Sequence, residues 1–316
     1  MLLEHHCRAM NTSVDLWVWS ASPQQEAHVR QSLLWAEGVF ARVERELSRF
    51  RPASGLSAVN RAAGSGRHAV SPLLCTVLGA ALDAAADSGG IYDPTLLKTM
   101  ERIGYDRSFE TLAQQRDPAV DEARPTLGAW RRVELDCHAG LVSLPADLAV
   151  DLGGIAKGWT VDRVATALAP LGPVLVDAGG DLRAIGTVGD EPWPIAVQDP
   201  FEPDQDRSLV RLASGALATS SVGGRRWNRG TRVFHHVVDP RTGTSADSDL
   251  HSVTVHAAHA VAADVAAKVV LVLGSEAGAA YLTERHLSGL LTDTHGREIV
   301  VGHFAHERTP RHASTH

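Results

Sequence analysis

Asp151-Leu152-Gly153-Gly154-Ile155-Ala156-Lys157-Gly158 runs from an apolar segment into a helical one, and residues 174–186 (VLVDAGGDLRAIG) repeat the device as strand, Asp177, Gly179-Gly180 and Asp181. Paired glycines let the backbone approach a ligand or take positive φ. A helix N-terminus offers unpaired N–H groups to an anion, and Lys157 adds a charge. The first turn therefore suits a phosphate or pyrophosphate, while a tight strand-to-helix turn capped by Asp151 fits the same letters. The second also reads as a hairpin, whose turn asks for such glycines. Neither the P-loop nor the Rossmann glycine spacing is present. One turn feeds a helix and the other feeds a strand, which sets the chain apart from a regular βαβ repeat.

Working outward, residues 13–19 (SVDLWVW) alternate as a half-buried strand, and 24–47 carry apolar residues at helical spacing. Residues 51–67 read as loop, 72–86 as a helix closed by Ser88-Gly89-Gly90, and 133–144 as two short strands. After Gly158, Val161, Val164, Ala165 and Leu168 mark one helix face. Residues 174–176, 193–197, 209–212, 233–238 and 252–256 read as strands, and 260–273 as a helix ending at Gly274. This order predicts an α+β fold with a largely antiparallel sheet. The polar stretch 107–129, with Pro118 and Pro125, is the one candidate internal boundary in a single unit spanning 1–316.

At 316 residues the chain is long enough for two domains or one large one, and 30 Lys+Arg against 37 Asp+Glu give a net charge of −7. No bulk basic field is available for nucleic acid. Cys7, Cys75 and Cys137 are odd in number and widely spaced, so they are expected to stay reduced. The N-terminal residues lack a signal-peptide pattern, and no stretch approaches the ~20 apolar residues of a membrane span. The expectation is a cytoplasmic protein without membrane insertion.

Among possible catalytic groups, His235 and His236 would point to opposite faces of a strand, so one of them could be a general base; an ordinary strand histidine is the alternative. His256 and His259 lack the glutamate and third ligand of a zinc site. Asp264 and Lys268, four apart on a helix, read by default as a modest ion pair.

Taken in order, Ala9-Met10-Asn11-Thr12, Ser88-Gly89-Gly90-Ile91-Tyr92-Asp93-Pro94-Thr95, Asp151 to Gly158, Val176-Asp177-Ala178-Gly179-Gly180-Asp181, Leu217-Ala218-Thr219-Ser220 and His236-Val237-Val238-Asp239-Pro240-Arg241-Thr242-Gly243 resemble the motifs of the FAD:protein FMN transferase (ApbE-type) family. The resemblance implies a T-fold-like duplicated α+β core. It also implies transfer of FMN from FAD to a threonine hydroxyl of an acceptor protein, with AMP released and magnesium as the usual metal. By resemblance, Met10, Phe50 (a Tyr in most relatives), Ile91, Tyr92, Asp93, Asp151, Lys157 and Val237 would line the FAD site. Gly154, through its carbonyl, and Asp264 would hold the metal, and His236 would be the base. Lys157 and Asp264 would serve the chemistry directly. Lys268 falls where the family has a threonine beside the metal, and Asn11 stands for a glycine. An ammonium there would repel a divalent cation, so either Lys268 partly replaces the metal charge or the chain binds flavin with weakened transfer; the alternatives to transfer are a flavin-binding protein and an FAD pyrophosphatase giving FMN and AMP.

Overall fold

Strand alternation sets the layers. In the strand Val174–Ala178, Val174, Val176 and Ala178 join a core shared with helices, whereas Leu175 between them joins a second core on the opposite sheet face. The computed structural model describes residues 1–112 and 124–308.

In chain order the first elements are β1 (Leu2–Ala9), β2 (Thr12–Trp19), α1 (Glu26–Leu47), α2 (Gly55–Arg61), β3 (Arg67–Ala69), α3 (Pro72–Asp87), α4 (Leu97–Arg102) and α5 (Phe109–Leu112). Then come β4 (Glu134–Asp136), β5 (Leu141–Ser143), α6 (Ala156–Leu168), β6 (Val174–Ala178), β7 (Asp181–Ile185), β8 (Trp193–Gln198), β9 (Asp206–Leu212) and β10 (Gly215–Ser221). The chain continues through β11 (Arg226–Arg229), β12 (Arg232–His235), β13 (Val238–Asp239), β14 (Thr244–Ser245), β15 (Leu250–Ala257), α7 (Ala260–Leu273), α8 (Ser275–Glu284), β16 (Ser288–Asp293), β17 (Glu298–Val301) and β18 (Glu307–Arg308).

The main sheet runs β1-β2-β6-β7-β10-β15-β16-β17, and every neighbouring pair in it is antiparallel. Its halves repeat one plan: two strands, two helices, two strands. The first unit is β1, β2, α1, α6, β6 and β7; the second is β10, β15, α7, α8, β16 and β17. This is the duplicated T-fold-like core, with its largely antiparallel sheet. On one face Phe40 and Leu33 of α1, Val161 and Val164 of α6, and Val14 and Leu16 of β2 are buried together. Against the other lie Trp193, Ile195 and Val210 of the smaller β8-β9-β18 sheet. The first unit carries a long insertion between α1 and α6, the second a shorter one between β10 and β15.

The structure adds elements to the sequence reading. β1 is one, its Glu4, His5 and His6 masking a strand that pairs with β2 along its whole length. The 51–67 loop contains α2, capped by the Ser54 hydroxyl accepting from the Ser57 N–H at 3.0 Å and anchored by Leu56 and Val59. Two turns and two buried apolar residues are too few to show a period. The 233–238 strand is broken at His236, between β12 and β13. Of the 107–129 boundary region, 113–123 lie outside the described residues.

The cysteine expectation is corrected. Cys75 on α3 and Cys137 in the β4–β5 turn form a disulfide, with Cα atoms 5.5 Å apart, and Cys7 is free. Spacing in sequence hid the proximity, which arises because α3 packs on this hairpin. The bridge spans 62 residues, and chain-entropy reasoning gives about 4 kcal/mol for such a loop, within the usual range of about 2–4. Reduction, or Cys137→Ser, should lower the unfolding free energy by about 2–4 kcal/mol in denaturant titrations with and without reductant.

Candidate active site

Every site residue named from the sequence lines one cavity of about 780 Å³: Met10, Phe50, Ile91, Tyr92, Asp93, Asp151, Gly154, Lys157, His236, Val237, Asp264 and Lys268. The volume falls in the range of small-molecule sites. Insertion residues form part of its wall, the glycine turns, the β1–β2 turn and α1 of the first unit another, and β10 and α7 of the second unit a third.

Asp151 is fixed from two sides. Its Oδ1 accepts from the Gly153 N–H at 2.7 Å and its Oδ2 pairs with Arg49 Nε at 3.0 Å. Arg49 is itself buried, lying over the Phe50 ring at 4.2 Å and the Tyr105 ring at 4.6 Å and donating to the Tyr105 carbonyl at 2.9 Å. Gly154 is needed for space, since a Cβ there would meet Tyr92 Cε2 at 3.2 Å and Lys268 Cε at 3.6 Å. α6 starts just after, without a side-chain cap, so its positive end opens beside Gly154, Ala156 and Lys157.

The second glycine turn supplies a partner for Lys157. Gly179 and Gly180 take φ of +61° and +88°, and the turn presents Asp181, whose carboxylate pairs with the Lys157 ammonium. Lys157 Nζ also donates to the Ala178 carbonyl at 2.8 Å. Across the unit boundary α7 repeats the pattern. Asp264 is 2% exposed, its Oδ1 is held by the Lys268 ammonium, and its Oδ2 is buried without a protein partner. Burial pushes the Asp264 carboxyl up to about 6, Asp181 adds to the rise, and Lys268 and Lys157 oppose it.

The two histidines separate as expected, though not as strand faces. His235 Nε2 lies 2.9 Å from the Ala246 carbonyl, a structural contact. His236, in the break between strands, lines the cavity with its Nδ1 buried and unpartnered. Burial, with Arg225, Lys268 and His235 nearby, pushes its imidazole down to about 3, so the ring is neutral with a free lone pair. Asp93 Oδ1 accepts from the Thr95 N–H and hydroxyl at 2.7 and 2.6 Å, and burial raises its carboxyl. Met10 and Asn11 take φ of 52° and 61°, and asparagine tolerates that region, which accommodates it where the family has glycine. His256 faces Ser288 and His259 faces Asp162. Among the described residues the three-group cluster of metal-ligating type is His5, Cys7 and Glu37, none of which lines the cavity.

Sequence reasoning left out Arg49, Arg225 and the site role of Asp181, all of which line the cavity. Asp181 carried a signal, as the second acid of the repeated turn. Arg49 and Arg225 sit in irregular segments and carried none.

A sequence profile described as the ApbE family matches residues 10–291. The chain belongs to the ApbE family. It is 32% identical over 292 residues to the FAD:protein FMN transferase of Treponema pallidum, covering 84% of this chain and 77% of that protein. The similarly named Vibrio cholerae protein is 28% identical, with 83% and 80% covered. The crystal structure of the ApbE protein from Thermotoga maritima superposes with a TM-score of 0.83 at 26% identity, over 95% of this chain and 97% of that one.

The resemblance places a metal between the Gly154 carbonyl and Asp264. The Lys268 ammonium sits on Asp264, and its carbon stem lies against Gly154, so one side chain touches both residues implied as ligands. A divalent ion about 4 Å from an ammonium is repelled by roughly 8 kcal/mol at an effective dielectric of about 20. In this corner Asp181 and Asp264 are already matched by Lys157 and Lys268. A divalent cation held between Gly154 and Asp264 does not fit this arrangement.

Proposed function

We propose that this chain transfers FMN from FAD to a threonine hydroxyl of an acceptor protein, forming a phosphoester and releasing AMP. The observation that carries the reading is the convergence of Lys157, Lys268 and His236, with its unpartnered Nδ1, on one cavity beside the open end of α6. The acceptor oxygen bonds to the flavin-side phosphorus as the bond from that phosphorus to the bridging oxygen breaks. The electron pair leaves with AMP, and the hydroxyl proton passes to the His236 lone pair. Burial keeps His236 neutral, and the pyrophosphate's negative charge raises its proton affinity where the proton must arrive. The two ammonium groups and the helix end stabilise charge growing on the leaving oxygen.

Arg49 and Asp93 hold the surrounding walls in place. Phe50, 41% exposed, stands at the rim, with Tyr105 behind it. We read the chain as one catalytic unit, because the wall draws on residues from Met10 to Val272. Among the described residues no helix is long and apolar enough to cross a membrane. The Cys75–Cys137 bond weighs against a reducing compartment as the place of work, and so against the cytoplasmic expectation.

The test is AMP release from FAD with and without a threonine-bearing acceptor peptide, together with intact-mass measurement of that peptide. The expected result is acceptor-dependent AMP release and a peptide carrying FMN. AMP and free FMN without an acceptor would make the chain a pyrophosphatase instead. Tight FAD binding with no AMP would make it a flavin binder.

A further inference from the structure

We infer that the Lys268 ammonium is this chain's resident cation, occupying the place of a divalent metal, so that flavin transfer here proceeds without one. The inference rests on the transfer reading above. Its structural basis is separate from it. Lys268 lies one helical turn after Asp264 on α7, and that spacing puts both side chains on one face. The ammonium lands on Asp264 Oδ1, and the stem runs past Gly154, within 3.7 Å of where a Cβ would stand.

The group is only partly shielded: the Lys268 side chain is 24% exposed while that of Asp264 is 3% exposed. It is therefore anchored from below and open to the cavity. An ammonium has three donors, and those not used on Asp264 remain for phosphate oxygens. The same construction appears once more in the cavity, where Lys157 is anchored on Asp181 and, with its side chain 25% exposed, lines the same wall. The corner thus holds two carboxylates and two ammonium groups and is neutral before substrate arrives. Adding a divalent ion would leave an excess of two positive charges, whereas lysine delivers its charge already tethered.

A tethered cation cannot be chelated away, and this gives the test. Binding of Mn²⁺ alone to the full chain is followed by electron paramagnetic resonance, and AMP release and peptide flavinylation are measured after EDTA treatment. The inference expects no stoichiometric Mn²⁺ binding and unchanged transfer in EDTA. In Lys268→Thr, Mn²⁺ binding should appear, and metal-free transfer should drop by about 10²–10³-fold and recover with Mg²⁺. Stoichiometric Mn²⁺ binding by the unmodified chain, or transfer abolished by EDTA and restored by Mg²⁺, overturns it. The Mn²⁺ measurement needs no turnover, so absence of transfer would refute the transfer reading while the cation assignment is still decided by binding.

Discussion

Replacing His236 by glutamine is expected to slow peptide flavinylation by about 10²–10⁴-fold, the usual contribution of a positioned base, with FAD affinity little changed. Glutamine keeps the bulk and polarity of the wall but takes no proton. A second, independent signature follows from burial. The His236 imidazole is held down to about 3 from an ordinary 6.5, so the folded state resists its protonation. For such a depressed group the stability is complete above about 6.5 and is lost as pH falls towards 3, because the unfolded chain takes up the proton first. Asp264 runs the other way: its carboxyl is raised to about 6, so between 6 and its ordinary 3.8 acid favours the folded state. Removing His236 leaves the second trend without the first. Glutamine should therefore gain on the unmodified chain by about 2 kcal/mol in unfolding free energy between about pH 7 and 5. Urea titrations at the two pH values read this directly, and a difference that stays constant with pH would show that His236 is not held neutral by the fold.

Lys157→Met carries the other large expectation, a loss of about 10²–10³-fold in transfer from the missing charge at the leaving oxygen. It should also cost about 3–5 kcal/mol in stability, since Asp181, 2% exposed, loses the ammonium that accompanies it. The Ala178 carbonyl loses a donor in the same step. The two effects are separable by also changing Asp181 to Asn. The double variant should recover most of the stability, because no buried carboxylate is left uncompensated, yet remain slow. Recovery of rate together with stability would reduce Lys157 to a structural role. Lys157 also helps hold the Asp264 carboxyl down, so its loss should move any acid limb associated with Asp264 to higher pH.

Much of the site was legible because its residues sit in turns whose letters are chemically constrained. Asp151 to Gly158 and the 174–186 stretch need glycine at fixed places, and the structure puts positive φ at Gly179 and Gly180 and a crowded wall at Gly154. Helical spacing made the Asp264–Lys268 ion pair legible, whereas only the family resemblance pointed to the site. Other features depend on tertiary contact. Arg49 becomes a site residue only because the chain leaving α1 folds back on Asp151. Cys75 and Cys137 meet only because α3 covers the β4–β5 hairpin. β1 hid because its polar side chains blur the alternation, and His236 was read inside a strand because the break on either side of it has no glycine or proline to announce it. The duplication escaped the residue patterns altogether: its units share an order of elements, while insertions of unequal length separate their counterparts.

That duplication decides where the cavity can form. Each unit contributes one lysine tied to one aspartate: Lys157 and Asp181 from α6 and β7, Lys268 and Asp264 from α7. β7 and β10 join the units edge to edge in a single sheet, as two copies of one shorter chain would meet in a pair. The cavity thus lies across the seam and takes one anchored ammonium from each unit, so neither unit holds both alone.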